Sequence, residues 1–161
     1  MRPAYRARRP GPTRATLHST RAAAHPRRTM DAFRHAVESR DLAGVESLLA
    51  DDVVFHSPVA FQPYPGKAVT AAILREVIEV FEDFTYVREL HDDAGGAYVF
   101  TATVDGLELT GCDFLELDSE GRITDFMVMV RPLKAAQALA ARMAERYPAI
   151  VEAAAAWTAR D

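Results

Sequence analysis

Asp113 is the residue whose setting most directly suggests chemistry. It lies in LTGCDFLELDSEGRI, residues 109–123. Read as a strand, this stretch puts Leu109, Gly111, Asp113, Leu115 and Leu117 on one face and Thr110, Cys112, Phe114 and Glu116 on the other, because side chains alternate with period two. The carboxylate falls in the more apolar row. An unpaired carboxylate there is costly, so it must be paired, partly hydrated, protonated or used. A carboxyl held protonated near neutrality can donate a hydrogen bond to a bound carbonyl or phenol, or exchange a proton with it.

Few other side chains could share that chemistry. His56, in DDVVFHSP, is a candidate general base because imidazole titrates near neutrality. It alternates with Phe55 and Ser57, so if those two face a cavity His56 faces away, as a satisfied histidine. His91 beside Asp92 and Asp93 has the residue types of a metal site, but neighbouring strand residues point to opposite faces and no His-x-x-x-His spacing accompanies them. It reads as a solvated turn. The single cysteine, Cys112, excludes an intramolecular disulfide framework and a Cys-based zinc site, and nothing near it suggests a nucleophile. No glycine-rich phosphate loop or nucleotide fingerprint is present, so neither cofactor nor metal is expected.

The elements that must position these residues follow from periodicity. Met30, Phe33 and Val37 recur at helical spacing, and Asp41 caps a second helix with the stripe Leu42, Val45, Leu48 and Leu49. After DDVVFHSP comes FQPYPG, a loop with the character of a rim or lid, in which Tyr64 either covers a pocket mouth or packs on the surface. Residues 67–81 form a third helix. FTYVRELH, AYVFTATV, LELTGCDFLEL and RITDFMVMVR read as strands joined by Gly-containing turns, a meander. An Ala-rich helix from Lys134 ends at Pro148, and a weakly amphipathic piece closes the chain. The expected class is α+β: a cone-shaped, curved antiparallel sheet wrapped around three N-terminal helices, plus a C-terminal helix. The concave face of such a sheet encloses space for a ligand.

Charge is unevenly distributed. Residues 1–29 hold eight Arg and no acid, whereas residues 30–161 hold 11 Lys and Arg against 23 Asp and Glu, a net of −12. The acidic part disfavours nucleic acid, whose binding draws on cations that neutralise phosphates. The Arg-rich head has four prolines and almost no large aliphatic residue, so it is expected to be a disordered extension. It reads as sequence upstream of a true start at Met30, with a targeting segment or a basic tail as alternatives. Residues 30–133 are then the folded domain and 134–161 a helical extension. No apolar run approaches the ~20 residues that span a bilayer, and the expected location is cytoplasmic.

The run DLAGVESLLADDVVFHSP, the PYPGK loop and the hairpin GCDFLELDSEGRITDF ahead of MVMVRP resemble the nuclear transport factor 2-like superfamily, in its SnoaL-like and ketosteroid isomerase-like branch. The resemblance covers residues 30–133. It implies a pocket between helices and sheet and dimerisation through the outer sheet face. It also implies that Asp113 is the family's pocket carboxylic acid, eight residues before the turn glycine Gly121. The family's general-base Asp falls on Ser57 and its oxyanion-hole Tyr on Phe33, so steroid isomerisation by the usual triad is not expected, because proton abstraction needs a base at the reacting carbon.

The same registration sends Val37, Leu49, Phe55, Ile73, Leu74, Tyr98, Phe100, Ala102, Leu109, Phe126, Val128 and Val130 toward the cavity along with Phe33 and Ser57. Ser57, Tyr98 and Asp113 are its polar members, and a buried Asp113 satisfied by Tyr98, a backbone amide or water is the structural alternative to a catalytic one. The expected ligand is a small hydrophobic or aromatic molecule bearing one oxygen. A cofactor-independent isomerase, cyclase or hydratase is one reading, with Asp113 as acid/base and Tyr98 and His56 as lesser candidates. A non-catalytic binding or dimerisation module is the other. An epoxide hydrolase would need a second carboxylate and an arginine facing the cavity, and Asp125 and Arg131 have the opposite parity. Met127 and Met129 make the last strand apolar on both faces, which suggests a homodimer or a covering C-terminal helix.

Overall fold

The computed structural model describes residues 26–158, so the expectation for residues 1–25 lies outside the described residues. Helix α1 (Pro26–Glu38) starts on a proline, whose fixed φ and missing N–H suit a first helical turn. The helix thus begins four residues before Met30. Thr29 is buried in it and its hydroxyl donates to the Gly121 carbonyl at 2.7 Å. Helix α2 (Leu42–Leu48) is capped by Asp41, whose carboxylate accepts from the Gly44 amide at 2.9 Å. Leu49, expected in the helical stripe, instead opens strand β1 (Leu49–His56).

The short strand β2 (Tyr64–Pro65) and helix α3 (Lys67–Val80) follow. The meander comprises β3 (Glu82–His91), β4 (Gly95–Val104), β5 (Leu107–Leu117) and β6 (Ile123–Arg131). Its turns carry the expected chemistry. Asp105 and Gly106 both adopt positive φ, 51° and 72°, as a two-residue hairpin loop of this hand requires. The Asp118 carboxylate holds the next turn by accepting from the amides of Glu120 and Arg122 at 2.8 and 2.9 Å.

The six strands form one sheet in the order β2-β1-β6-β5-β4-β3, and the fold is α+β. One pairing departs from the expected antiparallel pattern: β1 runs parallel to β6, with Phe55 opposite Phe126. A tight turn would force antiparallel neighbours, but α3 and the whole meander separate these two strands in sequence.

Helix α4 (Leu133–Thr158) runs through Pro148 rather than ending there. An interior proline costs about 3 kcal/mol. Burial on the far side of it opposes that cost: Ile150 is 2% exposed, and Ala153, Ala154 and Trp157 pack on the same core. Helix α4 packs against α3, β5 and β6. Met129 and Phe114 on the outer sheet face stay 53% and 36% exposed, so α4 does not cover that face. Among the described residues no helix is long and apolar enough to cross a membrane.

Candidate functional site

A cavity of about 510 Å³ lies between the helices and the inner face of the sheet. Phe33 and Val37 of α1, Phe55 of β1, Ile73 and Leu74 of α3, Phe100 of β4, and Phe126 and Val128 of β6 line it, with Ser57 and Asp113. Strand parity explains the sheet's share, since Phe100, Asp113 and Val128 fall on one face in register: Asp113 stands opposite Val128 and Gly111 opposite Phe100.

Asp113 is 6% exposed. Its hydrogen-bond partner among the described residues is Tyr86, whose hydroxyl donates to Oδ2 at 2.8 Å. Burial pushes the Asp113 carboxyl up to about 7, against the opposing pull of the Tyr86 hydrogen bond. Tyr86 is 5% exposed, and burial together with the neighbouring carboxylate drives its phenol well above the ordinary value. The carboxyl therefore changes protonation near neutrality while the phenol stays a hydrogen-bond donor.

Tyr86 is a site residue that the sequence reading missed. Phe84 and Tyr86 stand two apart on either side of Thr85 in FTYVRELH, the period-two spacing that places both on one face of the strand. The ladder between β3 and β4 shifts after Tyr86, where Tyr86 pairs with Phe100 but Arg88 pairs with Val99. That irregularity breaks the parity of the strand at the point where the site residue sits.

Several expected residues stand elsewhere. Tyr98 is buried, but its hydroxyl donates to the Met30 carbonyl at 2.6 Å, and it does not line the cavity. It ties α1 to the sheet instead of serving Asp113. His56 points to the outer face, where its Nε2 lies 2.9 Å from Asp125 Oδ2 with both side chains partly exposed, so it cannot replace a base in the cavity. Leu109, Leu49 and Ala102 belong to the core and Val130 packs against it, and none of the four lines the cavity. Tyr64, for which the sequence allowed two places, pairs with Phe55 across β1 and β2 and packs on its ring at 6.5 Å between centroids. His91 is not a solvated turn: its ring meets Tyr98 edge-on at 5.9 Å.

Ser57 lines the cavity, yet its hydroxyl oxygen accepts from the Val59 amide at 3.2 Å, a local turn contact that supplies no base. Glu38, Arg40 and Asp83 also line the cavity and are exposed, marking where it opens. Arg40 and Asp83 both hold left-handed backbone, at φ 55° and 52°. Among the described residues no three His, Cys, Asp or Glu converge as a metal site.

The fold has counterparts among solved structures, although no curated protein matches the chain. A steroid delta-isomerase from Pseudomonas aeruginosa is 41% identical, with a TM-score of 0.74 over 80% of this chain and 95% of that one. An uncharacterised protein with a cystatin-like fold from Silicibacter pomeroyi is 31% identical, with a TM-score of 0.71 over 82% and 96% of the two chains. An epoxide hydrolase from M. tuberculosis, 24% identical with a TM-score of 0.53 over 73% and 90%, shares the fold. The profile of the SnoaL-like domain matches residues 30–126. With that match spanning more than half of its length, the chain belongs to the SnoaL-like domain family.

Proposed function

We propose that this protein binds a small, largely apolar molecule carrying a carbonyl or phenolic oxygen, and that Asp113 is the group that exchanges a proton with it. The observation that carries this reading is a carboxyl 6% exposed in the wall of an apolar cavity, with a tyrosine as its hydrogen-bond partner and a pKa of about 7. A group that titrates near working pH is available in both forms. The acid form donates to the ligand oxygen as negative charge builds there, and the carboxylate form accepts a proton. Tyr86 holds the carboxyl in place and remains a donor throughout.

Cofactor-independent isomerisation of an unsaturated ketone is the leading reaction, supported by the likeness to the Pseudomonas steroid delta-isomerase. Ser57 and Phe33 stand where the family's base and oxyanion tyrosine fall, so any turnover rests on Asp113 and Tyr86. A second reading, a non-catalytic binding module, draws on the engagement of the Ser57 hydroxyl in a local turn. A homodimer goes with either reading: Phe114 and Met129 are exposed on the outer face, and sedimentation of wild type against Met129→Glu tests it, with a smaller species expected for the variant. The proposed location is cytoplasmic.

The deciding experiment follows a β,γ-unsaturated cyclic ketone by the ultraviolet absorbance of its conjugated isomer, alongside thermal shift with substituted phenols. Native-state binding stabilises by about 2.7 kcal/mol at a hundredfold excess of ligand over Kd. Phenol binding and turnover that are both lost in Asp113→Asn support the enzyme. Binding without turnover leaves the binding module, and an absence of any shift in wild type overturns both.

A further inference from the structure

We infer that α4 is the wall that sets how long a molecule the cavity accepts, acting through Met143 and Leu139. The inference rests on the reading of the cavity as the ligand site, but it concerns shape rather than the chemistry of Asp113. Leu139 and Met143 are four residues apart, so they share one face of the helix a turn apart, and both line the cavity. Leu139 is 2% exposed and belongs to the core. Met143 is only partly buried, and its unbranched thioether chain fills irregular space at little strain.

This helix lies beyond the segment matched by the family profile, which ends at Phe126. Residues outside the matched segment therefore help to line the cavity. Two ion pairs fix which turn of α4 faces inward. The Arg142 guanidinium donates from Nε to both Asp105 carboxylate oxygens at 2.8 and 3.0 Å, anchoring the helix to the β4–β5 turn. Arg146 Nη1 meets Glu76 Oε2 of α3 at 2.7 Å. Solvent screens the exposed Arg142 pair, which adds little stability, while the Arg146 pair is partly buried; together their geometry sets the register of α4 against its neighbours.

The test uses alkylbenzenes from benzene to hexylbenzene, apolar probes that need no partner at Asp113, titrated by calorimetry into wild type, Met143→Ala and Met143→Trp. Each methylene that enters apolar space tightens Kd by about fourfold, and the chain length at which this gain stops reports the wall. The expected result is a longer limit in Met143→Ala and a shorter one in Met143→Trp, each read relative to that variant's own benzene affinity. Far-ultraviolet circular dichroism checks that both variants fold, and the alanine variant carries the test alone if tryptophan does not. An unchanged limit in a folded variant overturns the inference, as does a wild type that binds no alkylbenzene. Phenol binding by Asp113→Asn is read in parallel: binding kept at the wild-type level with an intact length series strikes the proton-exchange reading, not the wall.

Discussion

The Tyr86 hydroxyl reaches across β4 to donate to Asp113 on β5, at 2.8 Å. Strand β4 separates their strands, and the crossing is possible because the ring of Tyr86 lies over Tyr98 at 5.0 Å between centroids while Gly111 leaves the inner face open for Phe100. The polar pair is walled by aromatic rings, which is why the carboxyl is desolvated and still satisfied.

Stability should fall with pH because of Asp113. Its carboxyl ionises near 3.8 when solvated and near 7 in the native protein. Between these values the native state keeps a proton the unfolded chain has lost, so stability declines as pH rises through about 4 to 7 and levels above it, at a cost of roughly 4 kcal/mol. Asp113→Asn should match wild type at pH 4 and exceed it at pH 8 in urea denaturation. Parallel pH profiles for the two proteins would sink the assignment.

Tyr86→Phe removes the hydrogen bond that favours the ionised carboxyl. The Asp113 carboxyl should rise further above 7, and the variant should lose about 1.5–3 kcal/mol at alkaline pH and less at acid pH, as for hydrogen bonds to charged groups. Carbon-13 NMR of the Asp113 carboxyl reads the shift directly. A titration unchanged from wild type would detach Tyr86 from the site.

Tyr98→Phe separates structure from site. The hydroxyl it removes serves the Met30 carbonyl, so about 1 kcal/mol of stability should go while phenol affinity stays the same. Chemical denaturation and phenol titration on one sample give both numbers. A loss of affinity without a loss of stability would restore Tyr98 to the cavity.

Gly111→Ala tests the packing that shapes the wall. A Cβ at 111 would lie 2.6 Å from the Cε atoms of Phe100 and closer still to Cζ. That ring is held by Phe81 and Phe84 at 5.6 and 5.0 Å between centroids, so it cannot simply swing away. Overpacking of this kind costs about 1–3 kcal/mol. Thermal denaturation should show the loss and alkylbenzene affinity should drop; a neutral variant would mean Phe100 yields freely.

The helical stripes, the Gly-containing turns of the meander and the burial of Asp113 are all legible along the chain, because period and turn chemistry are local. Residues 98, 100 and 102, or 126, 128 and 130, share a face wherever their strands go. Which of them meet the cavity depends on long-range packing. Tyr98 found the Met30 carbonyl of α1, a residue 68 positions away, and Leu109 and Val130 went into the core packing instead. The direction of β1 beside β6 was equally invisible, since no short turn links them. So was the meeting of Tyr86 with Asp113, which depends on two sheet pairings and a shifted ladder rather than on any spacing along the chain. Pro148 shows local preference giving way: a proline by itself favours a helix end, and the burial of Ile150 beyond it carried the helix on.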